Sequence, residues 1–482
     1  MTQLLGIDIG TTATKAIVLD PERGVVAEAE RPTHLHSPYP GWAEEDPEAW
    51  WSNACQLTRQ LASDRHVEAV GFSGMVPCVI LLDEKGRVIL RSIQQNDARA
   101  VRQIAHLSER LKGARVLERT GSPITQQSVG PTLLWIAEHE PEAWSRTRTV
   151  LGSYDLMAFR LTGERGVEMN WALESGLYDL EAETWATDIM EAAGLDPSLT
   201  PAVRRPDEVV GPVTEGAAAE TGLRAGAQVV AGSADHVASA FAAGIVDEGD
   251  LLVKLGGAGD ILLATKVPLV DPRLYLDFHL VPGRYLPNGC MAASGSLIRW
   301  FQDQVAAGAS LQQLDREAEE AGPGAGGVVV LPYFLGEKTP INDPGARGAF
   351  VGLHLGHNRG HLFRAVLEAI SFGFRHHVDV FQERGHVPTR LRVTNGGARS
   401  RVWSQVTADV LGMPLEKLSN VGGSAMGAAF AAGMGVGAFS DWKEIERFVE
   451  VTEVVEPRDH AAYEEPYVRY KALYPALKGV TT

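Results

Sequence analysis

Apolar runs that end at small-residue turns dominate the hydrophobic pattern of this chain. The first run ends at Asp8, turns through Gly10, Thr11 and Thr12, and continues as a second apolar run over residues 16–19. β-Branched residues on both sides of a tight turn predict a hairpin of two buried strands. Such a turn presents backbone N–H groups and hydroxyls, with a carboxylate at its mouth. Phosphate oxygens bind to a nest of N–H donors of this kind.

The same pattern of strand, turn and strand recurs in the second half of the chain. Residues 250–265 repeat it, and residues 391–400 form a third strand with a glycine turn that enters a helix at about Arg401. The small residues of these two turns are Gly256, Gly257 and Gly259, and Gly396, Gly397 and Ala398. The chain is therefore predicted to be a duplication of one α/β unit, with both hairpins facing one cleft.

Further elements are predicted in the first part of the chain. A third strand covers residues 24–30, a buried strand covers residues 66–73, and a short hairpin covers residues 79–90. A helix over residues 48–63 is expected to begin after Asp46, because Asp accepts hydrogen bonds from unpaired N–H groups and the following residue is proline. Strands that alternate with helices are typical of an α/β fold.

The remaining part of the chain predicts a mixture of regular and irregular structure. Residues 160–224 are rich in glycine, proline and charge, which indicates an insertion or a lid. An apolar strand from residue 228 leads through a small-residue turn to Asp235, and a helix of small residues follows as far as Gly244. A helix at about residues 459–477 is predicted to return to the first half.

Composition and charge exclude several classes of protein. Lys and Arg number 44 against 61 Asp and Glu, which gives a formal net charge of −17. Such a surface repels nucleic acids and anionic membranes and favours a neutral substrate. The three cysteines are too few for a disulfide framework or a structural zinc site and are expected to be small core residues. With no secretory signal and no apolar run of the roughly 20 residues that span a membrane, the protein is expected to be cytoplasmic.

Two carboxylates suggest phosphoryl transfer. Asp8 is a hard oxygen ligand suited to Mg²⁺ beside a phosphate turn, and Asp235 is placed to accept the proton of an attacking hydroxyl. The alternatives are an Asp that merely occupies a hairpin turn and an Asp235 that caps its helix, although capping and catalysis are compatible.

Six segments together resemble the FGGY family of carbohydrate kinases, which belongs to the superfamily of actin and hexokinase. They span nearly the whole chain and are residues 8–12, 41–51, 232–235, 336–343, 348–368 and 395–400. The resemblance is closest to the xylulose kinase type. It implies an α/β fold of two actin-like (ribonuclease H-like) lobes with an interdomain cleft, with residues 1–236 binding sugar and residues 237–482 binding ATP.

The resemblance also assigns roles to residues of this chain. Asp235 is expected to be the general base, and Asp8 and Asp235 the carboxylates at Mg²⁺. The residues expected to contact ATP are Asp8, Gly10, Thr11, Thr12, Lys15, Gly256, Gly257, Gly259, Gly396, Gly397 and Ala398. Those expected at the sugar are Met75, Val76, Pro77, Gln94, Gln95, Asn96, Asp97 and His236.

Departures from the family pattern concern the sugar rather than the reaction. Pro77 replaces a sugar-contacting His, Gln95 replaces a Trp, His236 follows the base in place of Asn, and Thr132 replaces a signature Lys. His236 is equally well explained as a histidine bonded to backbone near the helix start. A ketopentose such as xylulose is the expected substrate. The alternatives are ribulose, erythritol or glycerol, or a non-catalytic sugar sensor, and a homodimer is left open.

Overall fold

Two mixed β-sheets organise the chain, one in each half. A computed structural model describes residues 2–419 and 422–480. Its strands, in chain order, are β1 (Gln3–Ile9), β2 (Ala13–Asp20), β3 (Gly24–Pro32), β4 (Glu44–Glu45), β5 (Val67–Gly74), β6 (Ile80–Leu82), β7 (Ser92–Ile93), β8 (Thr149–Leu151), β9 (Gly166–Glu168), β10 (Tyr178–Asp179), β11 (Thr184–Trp185), β12 (Ala202–Arg204), β13 (Val209–Pro212), β14 (Gln228–Val230), β15 (Ser233–Ala234), β16 (Asp250–Leu255), β17 (Gly259–Leu263), β18 (Tyr275–Phe278), β19 (Tyr285–Met291), β20 (Val329–Leu331), β21 (Ala349–Val351), β22 (Arg390–Thr394), β23 (Leu415–Leu418) and β24 (Val451–Val455).

Helices cover both sheets. They are α1 (Pro47–Ala62), α2 (Val101–Arg110), α3 (Val116–Thr120), α4 (Val129–His139), α5 (Pro141–Arg146), α6 (Ser153–Thr162), α7 (Met169–Glu174), α8 (Thr187–Ala193), α9 (Glu215–Thr221), α10 (Asp235–Ala242), α11 (Gly295–Gln304), α12 (Leu311–Ala321), α13 (Arg359–Glu383), α14 (Arg401–Leu411), α15 (Gly423–Gly435) and α16 (Glu464–Leu477). Short 3₁₀ turns lie at Pro197–Leu199, Ala325–Gly327, Gly396–Arg399, Trp442–Phe448 and Ala461–Tyr463.

Six strands of each sheet share one topology, β15 also pairs with β5 of the first sheet, and β18 extends the second. The first has the strand order β13-β14-β5-β1-β2-β3, and the second has the order β18-β19-β17-β16-β22-β23-β24. β1 is antiparallel to β2 and parallel to β5, and β16 is likewise antiparallel to β17 and parallel to β22. This equivalence confirms the predicted duplication and the α/β fold class. It also gives the two hairpins corresponding places in the two sheets.

Local predictions of helices are confirmed where capping signals are clear. The backbone N–H of Glu48 donates to the Asp46 side chain at 3.0 Å, so α1 begins as expected. α14 begins at Arg401 behind Ser400, whose side chain accepts from the Trp403 N–H. In both cases a short polar side chain satisfies an N–H group that the helix itself leaves unpaired.

Helix α15 belongs to the second half of the chain but packs on the first sheet. A Cβ added to Gly6 of β1 would lie 1.9 Å from the Ala425 carbonyl oxygen, and one added to Gly71 of β5 would lie 2.1 Å from the Ala428 oxygen. Glycine at these positions is therefore what allows the helix backbone to approach the strands. The division of the chain at residue 236 stays a prediction, and α15 contributes to the first core from beyond it.

Helices α10 and α15 meet between the two sheets. A Cβ on Gly427 would lie 2.3 Å from the Ala238 carbonyl oxygen, so the small residues permit a close crossing. The carbonyl of Ala243, just after α10, accepts a hydrogen bond of 2.8 Å from Arg392 of the second sheet. In the part of the chain that the structure describes, no helix is both long and apolar enough to cross a bilayer.

The prediction that residues 160–224 form an insertion or lid is wrong for its last part. Strand β13 pairs antiparallel with β14 at the edge of the first sheet. Val213 is buried in the core behind this strand. The high glycine and charge content reflects the half-exposed character of an edge strand and its turns.

The prediction that the C-terminal helix returns to the first half is also wrong. Helix α16 packs on the second lobe, where Tyr467 and Tyr470 lie against Phe372 of α13. The Tyr470 hydroxyl lies 3.2 Å from that of Tyr333 in the same core. An aromatic face of this size is stabilised by the nearest apolar surface, which here is α13.

Candidate active site

The two hairpins place charged pairs at a cleft between the sheets. Asp8 on β1 lies opposite Lys15 on β2, and Lys254 on β16 lies opposite Asp260 on β17. A cavity of about 630 Å³ lies between the hairpins, and Asp8, Lys15, Lys254 and Asn395 are among its lining residues. The predicted meeting of both hairpins at one cleft is thus confirmed.

Asp8 is held by the neighbouring strand. The Ser73 hydroxyl of β5 donates to Asp8 Oδ1 at 2.8 Å, because the parallel register of β1 and β5 places the two residues side by side. Burial, and next the negative charge of Asp235, raise the pKa of Asp8 to about 7, against the lowering influence of Ser73, Lys15 and Lys254. Two carboxylates therefore share this region with incomplete compensation by protein cations.

Asp235 is the first residue of α10, directly after β15. The residue at the capping position is Ala234, and no side chain caps this helix, so the alternative that Asp235 is the N-cap is wrong. The Asp235 side chain is 34% exposed, and His236 Nδ1 lies 3.5 Å from its Oδ1. Burial would raise the pKa of Asp235, but His236 and Lys254 outweigh it and lower the pKa. The carboxylate is thus ionised and accessible from the cavity.

His236 lies in a buried network that sequence reasoning did not find. Its Nε2 lies 2.8 Å from Asp277 Oδ2 and 3.9 Å from Glu174 Oε1. Asn288 Nδ2 donates to the same oxygen of Asp277 at 2.6 Å. Burial would lower the pKa of His236, but the charges of Asp277, Asp235 and Glu174 raise it well above its usual range.

This network fixes the ring of His236 beside Asp235. Burial and the charge of Asp277 raise the pKa of Glu174 well above its usual range. A protonated imidazole between Asp277 and Asp235 pairs with both carboxylates and sets the orientation of the ring. The alternative that His236 bonds to backbone near the helix start is therefore wrong, since its recorded partners are side chains.

A polar cavity of about 270 Å³ surrounds Asp235 and His236. The lining residues are Val76, Gln95, Ser122, Pro123, Thr125, Gln127, Ser128, Glu174, Asp235, His236, Lys254, Ala258, Asp260, Leu262, Tyr275, Asp277, Asn288, Cys290 and Lys338. Three residues predicted at the sugar, Val76, Gln95 and His236, lie together here with the predicted base Asp235. Gln95 is oriented by Gln127, whose Nε2 donates to Gln95 Oε1 at 3.1 Å.

Met75 and Pro77 lie beside this cavity without lining it. Met75 is buried, its sulfur accepts from the Thr11 hydroxyl at 3.0 Å, and its carbonyl accepts from the Ser153 hydroxyl at 3.0 Å. Pro77 is buried in the same segment. Both residues position Val76, which is the member of the segment that reaches the cavity.

Gln94, Asn96 and Asp97 are not brought to the cavity. The Gln94 amide is buried and donates to the Ser92 hydroxyl at 3.1 Å. Asp97 is buried and accepts from Arg99 Nη2 at 2.7 Å, and Asn96 is exposed to solvent. Their predicted contact with the sugar is not supported, because Gln94 and Asp97 are used to build the loop, Asn96 faces solvent, and Gln95 is the member of the segment that lines the cavity.

A third cavity, of about 640 Å³, lies on the second lobe. Its walls include Gly256, Gly257, Gly396 and Gly397, together with Trp403. A Cβ added to Gly257 would meet no atom within 4 Å, whereas one added to Gly397 would lie 2.2 Å from the Trp403 ring. Gly257 thus keeps the cavity open, and Gly397 allows close packing beneath it.

The other residues predicted at the nucleotide have different positions. Gly259 begins β17, where a Cβ would lie 2.9 Å from Phe374, and buried Ala398 accepts a bond from the Ser404 hydroxyl through its carbonyl. Gly10, Thr11 and Thr12 form the tight turn of the first hairpin. Thr11 and Thr12 are exposed at its tip. None of these five residues lines the cavities described above.

The charged residues that sequence reasoning missed come from separate elements. Glu174 ends α7, Asp277 lies in β18, and Lys254 lies in β16 two residues before Gly256. Of these, Lys254 alone had a signal in the sequence, because it precedes a predicted phosphate turn. Glu174 and Asp277 reach the site only through the fold.

Comparisons of this chain with family models and with solved structures agree on one family. The model of the N-terminal domain of the FGGY family of carbohydrate kinases matches residues 3–242, and that of its C-terminal domain matches residues 256–436. A crystal structure described as xylulose kinase from Rhodospirillum rubrum is 47% identical and has a TM-score of 0.94, with 99% of each chain covered.

Relatives with curated names agree with this match. A xylulose kinase of Bacillus subtilis (strain 168) is 30% identical over 100% of this chain and 98% of its own length. A xylulose kinase of Escherichia coli (strain K12) is 30% identical over 98% of this chain and 99% of its own length. The fold is the two-lobed fold of these kinases, and this chain belongs to the FGGY family of carbohydrate kinases.

Proposed function

We propose that this kinase transfers the γ-phosphoryl group of ATP to a terminal hydroxyl of a small neutral ketopentose such as xylulose. The observation that supports this most is the position of Asp235. It is an ionised carboxylate without a capping role, at the wall of a polar cavity that shares Lys254 with the cleft between the hairpins. The names of the similar kinases support xylulose as the sugar.

Asp235 is the proposed general base. A sugar bound in the cavity would present a hydroxyl to Asp235, which takes its proton as the oxygen attacks the γ-phosphorus. The lowered pKa of Asp235 keeps this carboxylate ionised at neutral pH. General-base assistance is typically worth about 10²–10⁴-fold in rate.

Mg²⁺ fits the carboxylates at the cleft. Asp8 and Asp235 are hard oxygen donors, and they lie close enough that the charge of Asp235, after burial, contributes to raising the pKa of Asp8. Asp8 and Asp235 are therefore the residues proposed to hold the ion. When bound, Mg²⁺ would neutralise phosphate charge during transfer.

ATP is proposed to occupy the cavity of the second lobe. Its phosphates would pass Gly256 and Gly257, where the open space at Gly257 admits them, and its adenosine would lie near Gly396, Gly397 and Ala398. The γ-phosphoryl group would then point into the cleft toward Asp8 and Lys15 of the first hairpin. Gly10, Thr11 and Thr12 of that hairpin stay proposed phosphate contacts that require closure of the lobes.

The sugar is proposed to contact Gln95, His236 and Asp235. Gln95 supplies a donor and an acceptor, which compensates for the missing donor at Pro77. The formal net charge of −17 disfavours anionic sugars. Ribulose, erythritol and glycerol stay as alternative substrates, and the two catalytic carboxylates argue against a non-catalytic sensor.

Location and assembly are further proposals. The absence of a disulfide framework in the sequence is compatible with the reducing cytoplasm, where a kinase finds ATP. A homodimer is tested by light scattering of the purified protein, with a mass twice that of the 51.9 kDa chain as the expected result.

An ADP-release assay with a panel of pentuloses, polyols and hexuloses tests the function. Xylulose is expected to give the highest kcat/KM. Asp235→Asn should abolish sugar-dependent ADP release while ADP still binds. Asp188→Asn is the matched control, because Asp188 is also an acidic residue in a first helical turn but lines none of the three cavities. Near wild-type turnover of Asp235→Asn would remove Asp235 as the base, and ADP release without any sugar dependence would overturn the proposed function.

A further inference from the structure

Lys254 is the residue that the sugar cavity and the phosphate cleft have in common. It lines the cavity of Asp235, His236 and Gln95, and it also lines the cleft of Asp8 and Lys15. The charge of Lys254 acts to lower the pKa of both carboxylates, although burial and Asp235 keep that of Asp8 raised overall. A single ammonium group is therefore positioned between the proposed acceptor and the proposed donor.

Two contacts hold this ammonium in place. Lys254 Nζ lies 3.2 Å from the Ser239 hydroxyl and 3.5 Å from Asp260 Oδ2, and its side chain is 17% exposed. Ser239 lies on α10, one turn after Asp235, so the same helix positions the base and the cation. An ammonium has three donors, and these two long contacts leave it able to bind a further oxygen.

The duplicated topology supports a role for Lys254 at the phosphate independently of the cavities. Asp8 is the next-to-last residue of β1, and Lys254 is the next-to-last residue of β16. Each faces an oppositely charged partner on the second strand of its hairpin, Lys15 and Asp260 respectively. The two hairpins thus carry inverted charge pairs, with a carboxylate at one strand end and an ammonium at the corresponding end.

We propose that Lys254 is a catalytic residue that binds the transferring phosphoryl group. This inference rests on the proposed function. As the sugar oxygen forms its bond to the γ-phosphorus, the bond from that phosphorus to the β–γ bridging oxygen breaks and ADP leaves. The hydroxyl proton passes to Asp235. Lys254 keeps its own protons and donates hydrogen bonds to the non-bridging oxygens.

A simpler explanation is that Lys254 only pairs with Asp260 to stabilise the hairpin. A cross-strand ion pair of this kind contributes little stability, and it would not require Lys254 to line both cavities. The chain offers a matched comparison in Lys417. It lies on a strand of the same sheet, is 13% exposed, and pairs across the strands with Glu453 at 3.0 Å.

The test compares Lys254→Met with Lys417→Met. We expect Lys254→Met to lower kcat by about 10²–10³-fold, the usual cost of removing one group that stabilises the transition state. Its sugar KM and its affinity for ADP, which lacks the γ-phosphoryl group, should stay unchanged. Lys417→Met should keep the wild-type kcat. Lys254→Arg should recover part of the lost rate, because it restores the charge.

The outcomes separate this inference from the proposed function. A wild-type enzyme that phosphorylates no sugar overturns the function. A wild-type enzyme that works, together with a Lys254→Met variant of unchanged kcat, overturns only the role of Lys254. A Lys254→Met variant that loses activity because it binds ADP more weakly, with kcat unchanged, also overturns this role. If Lys254→Met does not fold, as judged by circular dichroism, the comparison of Lys254→Gln with Lys254→Arg decides in the same way.

Discussion

Gly257→Val is predicted to block the nucleotide without disturbing the fold. The backbone of Gly257 is already anchored, because its carbonyl accepts from the N–H groups of Ser294 and Ser296 at 2.9 and 3.0 Å. A Cβ at this position would meet no atom within 4 Å, and its φ lies outside the left-handed region. The valine would therefore project into the open cavity of about 640 Å³.

The size of the effect follows from this geometry. Adding methyl groups where a ligand must pack typically costs about 1–3 kcal/mol. Because 1.4 kcal/mol corresponds to tenfold in affinity, the Kd for ADP should rise by about 5- to 150-fold. The free energy of unfolding should change little, since the added Cβ has no protein atom within 4 Å.

Calorimetric titration with ADP is the assay, followed by titration with sugar. Gly216→Val is the matched control, because Gly216 is exposed on α9 and a Cβ there also meets no atom within 4 Å. The variant at Gly257 should bind sugar normally and ADP weakly, and the control should bind both normally. An unchanged Kd for ADP would refute the placement of the nucleotide at this turn.

Three further predictions address packing, the His236 network and pH. Gly71→Ala should lower the unfolding free energy by about 1–3 kcal/mol in urea denaturation, because the added Cβ would lie 2.1 Å from a carbonyl of α15; an unchanged midpoint would contradict the close contact. Asp277→Asn should lower kcat/KM for sugar by about 10- to 100-fold, since a charged hydrogen bond to His236 is worth about 1.5–3 kcal/mol, whereas exposed Asp196→Asn should have no effect. Burial raises the pKa of Glu337 to about 8, so between about pH 4.5 and 8 this carboxyl is protonated in the folded protein and ionised in the unfolded chain. The free energy of unfolding therefore falls by up to about 1.4 kcal/mol per pH unit as the pH rises through this range. Glu337→Gln should therefore be more stable than wild type at pH 9, with a flatter pH dependence, and an equal slope for both proteins in urea titrations would contradict this.

Much of the fold could be predicted because its signals are local. The two hairpins, α1 and α14 each combine an apolar period with a turn or cap in a few consecutive residues. The position of α16 could not be predicted this way. Its aromatic face needs an apolar partner, and the sequence does not show which sheet supplies one.

The candidate site could likewise be predicted only in part. Asp8 and Asp235 follow strands directly, so their place at the cleft could be predicted. Gln94 and Gln95 could not be told apart, because both amides suit a sugar hydroxyl, and the turn that begins at Gln95 decides which one reaches the cavity. Asp277 comes from a remote strand and becomes visible only when β18 pairs at the edge of the second sheet.

Identification of the reaction product tests the central claim most directly. The enzyme would be incubated with ATP, Mg²⁺ and xylulose, and the product examined by ³¹P and ¹³C NMR. We expect one phosphate ester, with phosphorus coupled to a terminal carbon of the ketopentose, formed by the wild-type enzyme and absent with Asp235→Asn. Inorganic phosphate as the only phosphorus product, or the same ester formed at an undiminished rate by Asp235→Asn, would contradict it.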